Sequence, residues 1–419
     1  MNKRILGSFL TCMLAAQVMA QESSTLSPYS QYGLGILADQ SLGSTRGMGG
    51  LGIGMRNGKQ VNMMNPASYS SIDSLTMIFD LGMSTRMSNF KENGKSVNAK
   101  TGALDYVVGS FRLMKHVGVG VGIVPFSNVG YDYESVNNIT GTTEGYSGEG
   151  GFSQVFLGMG WEFAKGWSIG FNFSYLWGNY NKLVMVSNTD GNANVLLRTY
   201  STTIRNYKLD FGLQWQRLLN KDNLLTLGAT ASVGHPLHAK AEVINVTTNA
   251  ATGISSTSQP IGLENAFRLP WTFGLGASLL HKNSLTAGVD YTLQRWGTID
   301  HPVYDSRGYT MTGNFYSDRH KVAGGVDWVP NPFSRNYFSQ VHYRLGASYA
   351  TPYYKIKGSD GPSELTISAG FGFPISRSMV QISGQWVRTA AKGFVTDNTF
   401  RINVGLTFNE RWFAKWKVD

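Results

Sequence analysis

Apolar and polar residues alternate strictly along many stretches of this chain. From Trp167 to Trp177 the odd positions are Trp167, Ile169, Phe171, Phe173, Tyr175 and Trp177, and the even ones are Ser168, Gly170, Asn172, Ser174 and Leu176. Phe400, Ile402, Val404, Leu406 and Phe408 alternate in the same way with Arg401, Asn403, Gly405 and Thr407. Leu285, Ala287, Val289, Tyr291 and Leu293 alternate with Thr286, Gly288, Asp290 and Thr292. Successive residues of a strand point to opposite faces, so each stretch predicts a strand with one apolar and one polar face. The pattern predicts about fourteen strands after residue 73. They fall near 74–86, 100–113, 116–126, 150–163, 166–179, 199–217, 223–235, 266–280, 284–296, 318–329, 338–351, 363–373, 377–388 and 398–409.

The connections between them alternate long and short. Long ones fall near 87–99, 127–149, 180–198, 236–265, 297–317, 352–362 and 389–397. Short ones fall near 114–115, 164–165, 218–222, 281–283, 330–337 and 374–376. Outer-membrane barrels combine long external loops with short periplasmic turns. The fold class expected is therefore all-β, an antiparallel transmembrane β-barrel of about fourteen strands with both termini in the periplasm. Trp167, Trp177, Trp296 and Trp328 stand near strand ends, where interfacial aromatic girdles belong. On the apolar face a charge such as Phe171→Arg should be costly, and on the polar face Asn172→Arg should be mild.

Composition agrees with a barrel. Gly is 50 of 419 residues, aromatics are 12% and charged residues only 15%, against about 25% charged in an average soluble domain. Glycine without a period of three, beside only 12 prolines, excludes collagen. No run of about 20 apolar residues exists to cross a membrane as a helix. The formal charge is +10. In an exported chain this suits anionic outer-membrane lipid and lipopolysaccharide, and nucleic acid is not expected as a partner.

Residues 1–20 read as a signal peptide. Lys3 and Arg4 precede the short apolar stretch Ile5–Val18, and Val18-Met19-Ala20 is a small-residue cleavage site, so a mature chain would begin at Gln21. Cys12, the only cysteine, lies inside this segment. Residues 21–73 are Gly-rich and weakly periodic. Their apolar residues Leu42, Leu51, Ile53, Met55, Met63 and Met64 favour folding inward as a plug over a free tail, because a barrel of this size has a lumen wider than side chains alone can fill. Residues 74–409 form the barrel and 410–419 a basic periplasmic tail with Lys415 and Lys417.

Charges recur at strand spacing on the expected lumen face. They are Asp80, Asp105, Glu162, Asp210, Asp290 and Asp327, against Lys208, Lys321, Arg344 and Arg401. They read either as a track for a polar head group or as ties between plug and wall. Inward apolar residues inferred from alternation are Ile78, Val107, Phe111, Phe156 and Leu176. With Leu51, Ile53, Met63 and Met64 they form a candidate ligand pocket or a packing face. His235-Pro236-Leu237-His238 carries two histidines, but the proline blocks a helical pairing and no third ligand is evident. No metal or cofactor is expected. Gly118–Gly122 and Gly49–Gly54 open no helix of a βαβ unit and are not nucleotide loops. His320 beside Asp318, and His301 beside Asp300, are the only pairs to consider for hydrolysis, and both read better as loop residues. An enzyme is not expected.

Asn65-Pro66-Ala67, after a Gly-rich segment and just before the first strand, resembles the hatch motif of the FadL/TodX (OMPP1) family. These are outer-membrane transporters of long-chain fatty acids and other hydrophobic compounds. The ending from Gly405 to Phe413 also resembles that of members from gut and related anaerobic bacteria. The resemblance implies that residues 21–73 are the hatch and that Asn65, Pro66 and Ala67 belong to it. Pro66 and Asn65 would make a rigid corner and Gly47–Gly54 the mobile part. The chain departs from the family in running on past Phe408, and no strand kink for a lateral exit is legible in it. The expected function is passive uptake of hydrophobic molecules such as long-chain fatty acids. The alternative is an accessory structural or interaction barrel of a larger outer-membrane complex, with other outer-membrane proteins as partners. An open polar porin is a third reading, which a plugged lumen disfavours.

Overall fold

The structure is a computed structural model that describes residues 26–137, 139–190, 193–305 and 308–411. The expected signal peptide and the tail from Trp412 onward lie outside the described residues.

Fourteen antiparallel strands close into a barrel, as the alternation predicts. They are β1 (Thr76–Glu92), β2 (Lys95–Met114), β3 (Val117–Asn137), β4 (Thr142–Ala164), β5 (Trp167–Asn188), β6 (Asn194–Asn220), β7 (Asn223–Ser232), β8 (Thr272–His281), β9 (Leu285–Gln294), β10 (Arg319–Trp328), β11 (His342–Ala350), β12 (Ser363–Ile375), β13 (Ser378–Ala390) and β14 (Thr396–Arg411). Each pairs with the next, and β14 closes on β1 through Phe79–Phe408 and Leu81–Leu406. Closure leaves no free first or last strand, which is what allows strands to span a bilayer. The faces are clear on β5. Ile169, Phe171 and Phe173 are 41–49% exposed, whereas Ser168, Asn172 and Ser174 are at most 2% exposed. The apolar row is the belt that meets lipid.

The barrel is lopsided. Strands β1–β6 run 17 to 27 residues, about twice what a tilted membrane strand needs. Their hairpins stay paired to the tips, as in Asn137–Thr142, so most of the expected loops at 87–99, 127–149 and 180–198 are strand. Both faces are wet there, the alternation fades, and only the ladder reveals a strand. The 236–265 connection is also largely strand. Ala239–Asn249 continues the ladder of β6 from Asn194 to Ile204, where β7 has ended. On the same long-connection side an aromatic cluster closes over the lumen. Trp296 is buried in it against Tyr316 and Tyr353, at 5.4 and 4.9 Å between ring centres, and so does not belong to a girdle.

Of the register shifts in the ladders, the two that lie away from the short turns bear on which side chains face inward. Register shifts at Gly82/Met83 give β2 one extra residue, so that Asp105 and Tyr106 both face the lumen. Alternation below the bulge then places Tyr106, Val108 and Ser110 inward and puts Val107 and Phe111 on the opposite face. The expected inward placement of Val107 and Phe111 is therefore corrected. The second bulge lies in β3 between Pro125 and Ser127.

Candidate functional site

Residues 26–73 lie against the inner wall, and their path fixes the geometry of the lumen. The segment starts at the long-connection end. Ser27 donates to Gly130 O at 2.8 Å and, through Oγ, to Asp397 at 2.9 Å. Pro28–Gln31 form a 3-10 turn with Pro28 at its first position, where a missing donor costs nothing. The first described residues thus sit at the end opposite to the C-terminal end of β14, and the termini themselves, both expected in the periplasm, lie outside the described residues. Ile36 and Leu37 then pair with Asn128 and Ser127 of β3, and Ala38 donates to Phe126 O at 2.9 Å.

That pairing occupies a break in the wall. The β2–β3 ladder runs only from Met114–Val117 to Val107–Ile123. Farther out, β2 keeps its ladder with β1, and β3 keeps β4 on one side and the N-terminal segment on the other. This is the strand irregularity that the sequence does not display. A bulge at Phe126 lies just beyond the last β2–β3 pair and re-aims the outer half of β3.

Lumen charges hold the segment in place. Arg46 pairs with Asp105 and donates to Asn403 at 3.1 Å. Asp290 accepts the backbone N–H groups of Gly52, Ile53 and Gly54 at 2.6, 2.8 and 3.2 Å, a nest of amides around a carboxylate. Arg56 approaches Glu162 at 3.8 Å and donates to Ser168 at 2.7 Å. Asp80 accepts from Tyr106 and Thr407, and the Tyr106 hydroxyl accepts from Gly43 N at 2.7 Å. Asp210 pairs with Lys208, and Asp327 with Arg344 and His342 at 3.2 and 2.9 Å. Asp39, on the segment itself, is half-buried, and the loss of solvent alone would raise its pKa. Lys321 and Arg46 outweigh that and hold it down at about 2.

Asn65, Pro66 and Ala67 are buried at a corner inside the barrel. Asn65 caps the turn Pro66–Ser71 by accepting from Ala67 N at 3.2 Å, and donates to Ile53 O at 2.9 Å and Leu213 O at 3.2 Å. Glycine makes the close approach possible here. A Cβ on Gly346 would stand 2.1 Å from the Met48 carbonyl carbon, and one on Gly228 2.0 Å from Ile53 O. The segment's own Gly49 holds φ +73° with Ala347 O at 2.6 Å from a Cβ position. Gly47–Gly54, expected to be mobile, is wedged backbone against backbone into the wall. Asn172, expected to tolerate a charge, accepts from Tyr69 at 3.1 Å and donates to Met63 O at 3.0 Å.

Two neighbouring cavities lie beside the segment. The larger, about 200 Å³, is lined by Leu37, Ala38, Ile53, Met63, Met64, Phe126 and Trp296 together with the polar residues Asp39, Gln40, Gln154, Lys208, Asp210, Arg319 and Lys321. The smaller, about 100 Å³, is ringed by Arg86, Arg319, Lys321, Arg401, Glu364 and Asp397. Arg86 Nε and Arg401 Nε are buried there without a hydrogen-bond partner. The sequence-derived pocket residues divide between places. Ile53, Met63 and Met64 line the larger cavity. Leu51 packs with Met48 and Ala323. Ile78 and Phe156 pack around Tyr69, and Leu176 belongs to the aromatic cluster above. Leu37, Ala38 and Phe126 are cavity residues that alternation could not supply, since they flank a bulge and a two-residue strand. His235 stacks on Tyr207 at 4.4 Å, and His320 contacts Tyr291 rather than a carboxylate.

The closed fourteen-strand barrel is similar in fold to those of solved hydrocarbon transporters. The toluene transporter TbuX of Ralstonia pickettii superposes with a TM-score of 0.65 at 13% identity, over 89% of this chain and 99% of that one. The toluene transporter TodX of P. putida gives 0.64 at 13%, over 90% and 100%. A Pseudomonas aeruginosa FadL homologue gives 0.60 at 12%, over 90% and 99%. At such identities the likeness is one of fold, and at that level the resemblance carried by Asn65-Pro66-Ala67 holds. No protein of curated function matches the sequence. The BamG family model matches residues 1–419, and the chain belongs to the BamG family.

Proposed function

We propose that the barrel sits in an outer membrane and passes small hydrophobic molecules inward by passive diffusion. One observation carries this reading. The larger cavity is lined by Leu37, Ala38 and Phe126, the residues that stand at the break between β2 and β3. An apolar molecule in that cavity is next to the one stretch, among the described residues, where the wall lacks its own ladder, so exit past residues 36–38 need not move the wedged residues 47–54. The short connections face the periplasm in this reading, and residues 26–73 are the hatch.

Size bears on the substrate. A dry apolar cavity of about 150 Å³ holds benzene, and sites for drug-sized ligands run to about 300–1,000 Å³. A cavity of about 200 Å³ suits a monoaromatic or short aliphatic molecule. A long-chain fatty acid would need the two cavities to merge past Arg319 and Lys321, which line both. Mass spectrometry of small molecules released from gently purified protein tests the proposal. An apolar compound near benzene in size is expected. Finding none, in protein that also fails to take up added toluene, would sink it.

A second reading is an accessory subunit of a larger outer-membrane complex. It is favoured by the density of ties between Gly43–Tyr69 and the wall, which leaves little room for transport. Stable co-purification with other outer-membrane proteins, from a barrel that carries no ligand, would select it.

A further inference from the structure

Five of the six short connections are turns of two or three residues, each with a basic residue: Lys115, Lys165, Lys221, Lys282 and Arg377. The sixth, 329–341, is a folded knob. Asn331 N donates to Ser339 O at 2.9 Å, the Asn331 and Asn336 side chains accept from Phe333 N and Phe338 N at 3.0 and 3.1 Å, and Gln340 Nε2 donates to Ser334 O at 2.6 Å. Its polar groups are thus largely satisfied within the loop. What it presents outward is Phe333, 88% exposed, Phe338, 68% exposed, and Tyr337, 44% exposed.

The knob leans on the outer face of the barrel. Phe338 O accepts from the Tyr343 hydroxyl at 3.2 Å. Tyr343 belongs to the outward aromatic row, 5.7 Å from Trp328 and 5.8 Å from Phe371 between ring centres. The knob therefore continues the lipid-facing belt.

We propose that this rim docks on a leaflet of anionic phospholipid, with Phe333, Tyr337 and Phe338 immersed at the boundary between headgroups and acyl chains. Aromatic side chains are favoured at that depth. Acyl chains offer no hydrogen-bond partners, which matches a knob with few polar groups left to pair, whereas protein interfaces carry about ten hydrogen bonds each. The basic turns around the rim, with Arg335 on the knob, complement phosphate headgroups.

The test is collision accessibility of nitroxide labels on the full chain in nanodiscs, in a Cys12→Ser background. Phe333→Cys and Phe338→Cys are compared with Phe171→Cys, in the lipid belt, and Ile139→Cys, 96% exposed at the opposite end. With phosphatidylglycerol discs, the ratio of oxygen to nickel-chelate collisions at both knob sites should lie several-fold above that at Ile139 and approach that at Phe171. It should fall when phosphatidylcholine replaces the anionic lipid. Knob labels as accessible to the chelate as Ile139 would overturn the proposal. So would labels shielded from both reagents in native outer-membrane vesicles, which would mean that a protein covers the knob. Insertion indifferent to headgroup charge would overturn the anionic preference.

Discussion

Gly346 and Gly324 lie on neighbouring strands of one wall and differ in what a methyl group would meet. On Gly346 it would meet the Met48 backbone at 2.1 Å, and on Gly324 only Gly288 O at 3.8 Å. Overpacking a tight site costs about 1–3 kcal/mol. Gly346→Ala should therefore lower barrel stability by that order and Gly324→Ala by much less, as read from heat-modifiability on gels. Equal effects would mean that the segment is not seated on β11. Lipid depth gives a second contrast. Phe171→Arg should cost about 2–4 kcal/mol and Phe163→Arg, next to a short turn, about 0–1. The face of each such residue is legible in the sequence, because burial in lipid on one side and polar contact on the other enforce a period of two. The exceptions, Val107 and Phe111, follow a bulge. One extra residue inverts every later side chain and leaves no mark in composition. Asn172 departs from its expected tolerance for another reason. A polar residue on a lumen face looks alike whether it meets water or a packed backbone.

Among elements, all fourteen strands stand where the alternation puts them, and their outer ends do not. Beyond the bilayer β1–β6 have water on both sides, so nothing in their sequence marks where strand stops. The break between β2 and β3 is hidden too, since it is a lack of pairing between two well-formed strands. The aromatic cap on the long-connection side has its own pH response. Burial, with Lys182 adding to it, holds the His301 imidazole down at about 3, against an ordinary value of about 6.5. The loosened cap binds a proton that the closed cap rejects. The stabilisation is thus complete above about pH 6.5 and is lost as pH falls toward 3. Amide exchange in 295–305 and 308–318 should accelerate between neutral pH and pH 4 beyond its intrinsic pH dependence. His301→Asn should flatten that response. An unchanged protection pattern would place His301 in water.

For the whole molecule, the N-terminal segment decides between channel and plug. Its Gly-rich composition is legible. Its role as a fixed wedge is not, because a glycine chosen for close approach and one chosen for mobility read identically. Deletion of residues 26–59 should leave the strand ladder closed and open a water path. Conductance in planar bilayers should then rise well above that of the intact protein. Intact protein that already conducts like an open pore would show that the segment does not seal the lumen.

The central claim is that a small apolar molecule crosses through the cavity beside the wall break. Ala38 lines both cavities, and Ala38→Trp fills that space while its backbone N–H can still reach Phe126 O. The deciding measurement is the rate of toluene entry into cells carrying the intact protein, Ala38→Trp, or no barrel, normalised to folded barrel in the outer membrane. The account predicts faster entry with the intact protein and a return to the barrel-free rate with Ala38→Trp. Entry that is the same in all three would contradict it.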